Sequence, residues 1–418
     1  MLASHPLVIT LRRLRGNARG CVLTEPLWGI PFNLYAPYVS LYMLAFGLTD
    51  AEIGLISSIG MAFQIVWTLL SGAITDKLGR KRTTLIFDII SWSIPTLIWA
   101  VAQNFSYFVA AAFVNAVWRV TSNSWQLLLV EDTDPDLLVD IFSWIYIAGL
   151  LAAFVSPLTS PLISRFGLIP TMRGLYILAA VMMTAKFFIM NGMVTETQRG
   201  IERMHETRQQ HIFGVLQGSG PVLKHILRTP ATLYTAGLMI LLSICWSIRG
   251  TFWSIIVSEE LRIPAQHLAI YPFVRSITML LFFFIAMPRL RMVAPRKLMI
   301  FGFAGLILSQ VLLISAPSGS YALLVLVTML EGASIPMAST MLDTLAVTTV
   351  SAEERARIMA LISLTVMVAT APFGWIGGQL SAINRRLPFV LVTLLFAVAA
   401  VLTALANRAA QRDAAAPA

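Results

Sequence analysis

Apolar runs long enough to cross a lipid bilayer recur twelve times along this chain, and no other property limits its fold as sharply. A span needs about 20 mostly apolar residues. Lipid offers the backbone no hydrogen-bond partner, so each run has to be a helix. The runs are 27–46, 51–75, 83–101, 106–130, 137–163 and 174–193, then 231–257, 264–287, 297–315, 321–347, 357–380 and 387–405. The expected class is an all-α polytopic membrane protein with twelve transmembrane helices.

Composition agrees. Of the 418 residues 57% are hydrophobic and 12% charged, and the mean hydropathy is +0.79; a soluble domain carries about 25% charge. The net charge of +10 lies in short loops between apolar runs, so no nucleic-acid partner is expected. With the N-terminus placed inside, 21 of the 30 Lys and Arg fall in cytoplasmic segments, and that excess sets topology. Both termini are therefore expected in the cytoplasm, with the chain in a cell membrane of the bacterial inner type. Cys21 and Cys245 suggest neither a disulfide framework nor a metal site. No metal and no cofactor is expected, and a monomer is.

The longest polar stretch, 194–230, divides the chain. It holds Glu196, Arg199, Glu202, Arg203, His205, Glu206 and Arg208, and reads as a solvated linker with a surface helix. The expected organisation is an amphipathic cytoplasmic N-terminus (1–24), a six-helix bundle (25–193), the linker (194–230), a second six-helix bundle (231–406) and a tail (407–418). Arg12, Arg13, Arg15 and Arg19 alternate with apolar residues in the first segment, as in a helix lying on the inner leaflet. The halves echo each other at an offset near 214: Leu85-Ile86-Phe87 against Met299-Ile300-Phe301, Asp132-Thr133 against Asp343-Thr344, Ser156-Pro157 against Ala371-Pro372. Six spans per half keep one orientation, so the repeat is parallel, about an axis along the membrane normal. Two pseudo-symmetric bundles facing a central cavity are expected.

Between the second and third runs stands Gly72-Ala73-Ile74-Thr75-Asp76-Lys77-Leu78-Gly79-Arg80-Lys81-Arg82. Gly72 and Gly79 are read as bracketing a tight turn. The stretch resembles, at every fixed position, the G-x-x-x-D-[KR]-x-G-[RK]-[RK]-[KR] loop of the major facilitator superfamily. The resemblance implies a secondary transporter working by alternating access. It also implies that Asp76 rests against the N-terminus of the eleventh helix, stabilised by its partial charge. Arg80 would pair with Glu131 or Asp132. These contacts would close the cytoplasmic side and break when the carrier opens inward.

Charges within spans mark function, because a central ion is costly unless it meets water or a partner. Arg119 and Glu331 lie near the middle of the fourth and tenth spans and are near repeat equivalents. Two readings stand open: a permanent ion pair, or a protonating Glu331 with Arg119 holding a polar or anionic group of a small-molecule substrate. Arg249 and Arg275 are further substrate candidates, as are Asn33, Tyr35, Trp118 and Trp246. Lys186 is read as snorkelling, and Asp88 as a partner of the basic loop rather than a proton carrier. Ser156-Pro157 partly resembles the antiporter motif of the family's exporters. No H-E-x-x-H, G-x-S-x-G or nucleotide-binding loop is present, against an enzyme or ATP-driven pump. The expected activity is proton-coupled export of an amphipathic or drug-like compound; the alternative is proton-coupled uptake of a small organic anion. A membrane-embedded enzyme or a transport-fold receptor is the reading from another class.

Overall fold

A computed structural model describes residues 14–207, 230–290, 293, 295–348 and 355–415. The helices are, in order, α1 (Gly16–Thr24), α2 (Pro26–Tyr35), α3 (Val39–Ala45), α4 (Asp50–Leu78), α5 (Arg80–Asp88), α6 (Ile94–Ala100), α7 (Phe105–Asn115), α8 (Trp118–Val130), α9 (Leu138–Ala152), α10 (Thr159–Phe166), α11 (Leu168–Met193) and α12 (Gln198–Thr207). They continue with α13 (Pro230–Ile255), α14 (Ile270–Leu281), α15 (Met287–Leu290), α16 (Pro295–Ser315), α17 (Tyr321–Thr348), α18 (Arg355–Thr370), α19 (Pro372–Ile383) and α20 (Leu387–Ala415). Among the described residues there is no strand.

Among the described residues, ten helical segments are long and apolar enough to cross a membrane. They are the expected spans other than the first and fourth, and those two are helices broken midway. The first is interrupted by a 3-10 turn over Ala36–Tyr38, where Pro37 supplies no N–H to the ladder. The fourth breaks at Ala116 and Val117, so α8 begins one residue before Arg119. π-helical turns occupy Ile89–Ser93, Ile256–Glu260 and Phe282–Ala286; such turns are frequent at functional sites.

The chain divides into two compact units: Met1–Leu48 with Ile59–Gln217, and Thr49–Ser58 with Gly218–Ala418. Within the first, the third span packs on the fourth and sixth, and the first on the fifth and sixth. Within the second, the ninth packs on the tenth and twelfth, and the seventh on the eleventh and twelfth. These neighbour sets coincide when six is added to each span number, as a parallel repeat requires. Residues 14–24 bury their apolar face against protein: Leu14, Ala18, Cys21 and Val22 pack with Leu128, Leu129, Ile141, Met190 and Val194.

The first turns of α4 belong with the second unit. Gly54 lies against Gly374 and Gly378 so closely that a Cβ there would fall 2.7 Å from Gly378 Cα. Small residues permit this approach of backbones. Ser58 Oγ donates to the Ala371 carbonyl (2.6 Å) and accepts the Trp375 N–H (2.7 Å). At the same end Asp50 Oδ2 accepts from Ser381 Oγ (2.6 Å) and Arg385 Nε (3.2 Å).

Candidate functional site

Three groups of polar side chains are buried among these helices. The first surrounds the basic turn. The reversal uses Gly79 alone, at φ 83°, where any side chain would be strained. Gly72 is not part of the turn: α4 runs through it to Leu78, and the expectation of two bracketing glycines is corrected to one. A helix continues past a lone glycine at a cost of about 1 kcal/mol against alanine.

Arg80, 3% exposed, lies across three anionic oxygens. Its Nε and Nη2 take the two Glu131 oxygens at 3.0 and 2.9 Å, and its Nη1 takes Asp76 Oδ1 at 3.0 Å. The paired geometry is the strong form of an Arg–carboxylate contact. Of the two carboxylates expected to compete, Glu131 is the partner; Asp132 is exposed. The linker completes the group. Glu196 accepts the backbone N–H groups of Arg80 (2.9 Å) and Lys81 (3.0 Å), orphan donors at the start of α5. Thr197 Oγ1 donates to Glu131 and accepts the Gly200 N–H at 2.9 Å, capping α12. Arg203 reaches Asp76 Oδ2 at 3.2 Å. The start of the linker is therefore docked, not solvated. Asp76 was expected at the start of the eleventh helix; residues 349–354 lie outside the described set.

The second group is in the second unit. Arg249 of α13 (5% exposed) and Glu331 of α17 (2%) form a buried ion pair through Nη2 and Oε2. Gln310 Nε2 of α16 donates to Glu331 Oε1 at 3.0 Å. Trp246, one turn before Arg249, lies 5.2 Å below the guanidinium. Glu331 thus has its cation within its own unit, a pairing the sequence reading did not foresee. Arg249 Nε and Nη1 and Gln310 Oε1 are buried and make no hydrogen bond among the described residues. Each such orphan costs about 1–3 kcal/mol unless another group meets it.

The third group lines the first unit. Arg119 donates from Nε to Gln64 Oε1 of α4 (3.0 Å) and stacks on Trp118 (4.1 Å). Asn123 donates to Thr75 (3.3 Å). Thr121 donates to Asp88 Oδ1 at 2.7 Å. Asp88 is therefore bound to the fourth span rather than to the basic loop. Lys186 does not snorkel: it is 5% exposed, and its ammonium meets Glu25 Oε2 at 2.8 Å. A carboxylate just before the first span was available to hold it inside.

The remaining candidates separate. Asn33 folds back to donate to the Gly29 carbonyl (2.8 Å). Tyr35 is 2% exposed and packs against Phe32, Trp99 and Tyr176. Arg275 is exposed on α14. Among the described residues no group of three or more His, Cys, Asp or Glu is placed to hold a metal ion.

The profile of the MFS_1 like family matches residues 32–389. The chain belongs to the MFS_1 like family. This MFS_1-like protein is a transporter of the major facilitator type, not an enzyme. Among solved structures, it is similar to the nucleoside transporter NupG, with 18% identity and TM-score 0.68, covering 94% of this chain and 98% of that one. It is similar to a POT family transporter in complex with a thioalcohol-conjugated peptide, with 15% identity and TM-score 0.72, covering 96% and 99%. It is also similar to the human organic anion transporter MFSD10, with 15% identity and TM-score 0.65, covering 94% and 99%. At such identities the likeness is of fold. No curated protein matches the chain.

Sequence reading of the MFS_1-like protein missed Glu25, Gln64, Glu196, Thr197 and Gln310. Glu196 had a signal in hindsight: it opens a polar stretch with Thr197 three residues before Gly200, a capping pattern at a helix start. Gln64 and Gln310 are uncharged amides within apolar runs, and nothing in their spacing marks them.

Proposed function

We propose that the chain is a proton-coupled carrier of a small organic anion, working by alternating access. The observation that supports this most is the buried Arg249–Glu331 pair, with two guanidinium nitrogens unmet among the described residues. A proton on Glu331 removes half of the pair and leaves Arg249 a cation in an apolar interior. An anionic group of the substrate restores the balance. Proton and anion then bind together, which is the linkage of symport and therefore of uptake. Arg119, stacked on Trp118 and held by Gln64, is a second anchor. Similarity to a structure named as an organic anion transporter accords with this reading.

The second reading is proton-coupled export of an amphipathic or drug-like compound. It is favoured by the half-buried Trp118 and Trp246 beside the two arginines, since aromatic faces suit flat apolar solutes. In both readings the termini are cytoplasmic in a bacterial inner membrane. The Asp76–Arg80–Glu131 group is the cytoplasmic gate, with one copy of the chain as the working unit.

Proteoliposome flux tests the proposal. Uptake of small organic anions should rise with an imposed inward proton gradient, and Glu331→Gln should abolish that rise while sparing exchange. Flux indifferent to the gradient would remove proton coupling. Gradient-driven loss of a dye-like cation from inverted vesicles would favour export.

A further inference from the structure

Among the described residues, no cation lies within ion-pair distance of the buried Asp88. Asp88 (6% exposed), Lys186 (5%) and the half-buried Glu25 share one neighbourhood. Thr121, which bonds Asp88, stands one turn before Trp125, the ring over which Lys186 lies. Lys186 Nζ is held by Glu25 Oε2 at 2.8 Å and lies over the rings of Trp28 (6.0 Å) and Trp125 (5.8 Å). The Asp88 carboxylate receives one hydrogen bond, from Thr121 to Oδ1 at 2.7 Å. Among the described residues its Oδ2 accepts none.

One ammonium against two carboxylates leaves a surplus negative charge inside a low-dielectric interior, and this is the costly arrangement for a buried ion cluster. Glu25 already has its cation. Asp88 has only a neutral hydroxyl. Among the described residues the buried Trp125 indole N–H has no partner, so the cluster also carries an unfilled donor. The last residue of α5, Asp88 is followed directly by the π-helical turn Ile89–Ser93, where the helix ladder is loosened.

We propose that Asp88 Oδ2 binds an exchangeable proton, forming a second proton site besides Glu331. Uptake converts the carboxylate to the acid, taking one proton from water and returning it on release. With Asp88 neutral, Lys186 of the sixth span stays on Glu25 beside the first span. With Asp88 ionised, the ammonium is shared between two carboxylates, and the tie between those spans loosens. Thr121, which reads the state of Asp88, is two residues from Arg119. Thr121 on the fourth span bonds Asp88, and the charged groups of the same region are Glu25 before the first span and Lys186 on the sixth. The use of this proton in coupling rests on the carrier reading above; its presence does not.

Infrared difference spectroscopy on the full chain in lipid vesicles tests it, stepping pH with no substrate added. The carboxylic-acid C=O band of a buried acid should grow on the acid step. Glu331→Gln, which removes the other acid, should keep the band, and adding Asp88→Asn to it should abolish it. A band unchanged by that addition overturns the proposal. If Asp88→Asn does not fold, Thr121→Val replaces it: loss of the hydrogen bond to Oδ1 should shift the acid C=O band to higher frequency, and an unshifted band overturns the proposal. Because no substrate is present, failure here and failure of transport are separate results.

Discussion

Glu196 accepts the backbone N–H of Arg80 at 2.9 Å across 116 residues of chain, so the linker caps the helix that begins at the basic turn. The same carboxylate takes the Lys81 N–H at 3.0 Å. A helix N-terminus carries partial positive charge and unpaired donors, and a carboxylate meets both needs. Glu196→Ala should therefore destabilise the first unit by about 1–2 kcal/mol, and Glu196→Gln by less. Thermal unfolding of purified protein in detergent reads this. An unaltered midpoint in Glu196→Ala would show the cap to be replaceable by water.

Arg80 and Glu131 provide a stronger test, because Arg80 is buried and Glu131 largely shielded from water. Breaking one partner of a buried pair strands the other, at a cost of about 3–5 kcal/mol. Arg80→Gln should be markedly destabilised and deficient in transport. Arg80→Lys should be intermediate, since an ammonium cannot hold both Glu131 oxygens. Adding Glu131→Gln to Arg80→Gln should recover part of the stability. A double-mutant cycle with no coupling would mean the pair is energetically idle.

The two glycines of the basic motif should behave oppositely. At Gly79 φ is 83°, and a Cβ would meet Glu196 Oε2 and the Met204 sulfur. Gly79→Ala should cost about 1–3 kcal/mol through backbone strain. At Gly72 the helix is regular and open space surrounds the added methyl. Gly72→Ala should be neutral or stabilise by up to about 1 kcal/mol. Unfolding midpoints of the two variants, measured side by side, decide this; equal losses would put the turn at the wrong glycine.

Cys21 is fully buried, and burial pushes its thiol up to about 12 from an ordinary 9.0. The thiolate is the reactive form, so maleimide should label native protein slowly at pH 7 and still slowly at pH 9. Denatured protein should label at once. The folded acid is the weaker one, so its contribution to stability is complete below about 9 and is lost as pH climbs toward about 12. Rapid native labelling would mean that α1 leaves its seat against Leu128, Leu129 and Ile141.

Gly54→Leu should disrupt the close approach to Gly374 and Gly378, because two backbones occupy the space the side chain would need. Cysteine cross-linking between Asp50→Cys and Ser381→Cys should be efficient in the parent chain and weak once Gly54→Leu is added. Equal cross-linking in both would show the glycines to be dispensable there.

The basic turn was legible as a motif, and the resemblance brought Arg80 to a carboxylate at the end of the fourth span, because a charge at a span's end has few partners within reach; that Gly79 alone makes the turn, and that Glu131 rather than Asp132 is the partner, came from the structure. The Arg249–Glu331 pair was not legible. Both residues stood out as costly intramembrane ions, yet their union depends on how α13 and α17 rotate about their own axes. A change of one helical position turns a side chain by about 100°, and no local rule fixes that angle. Lys186 and Asp88 were misread for the same reason: their surroundings come from Glu25 and Thr121, which lie far from them in sequence.

Length and sparsity of charge are properties of a short stretch of chain, so the sequence by itself determined the number of spans, the parallel repeat and the transporter family. Tertiary structure alone decided which acid meets which base, that the fourth span breaks beside Arg119, and that the linker returns to cap a helix. Those outcomes follow from packing of whole helices, in which each buried charge takes the partner that geometry brings within hydrogen-bonding distance.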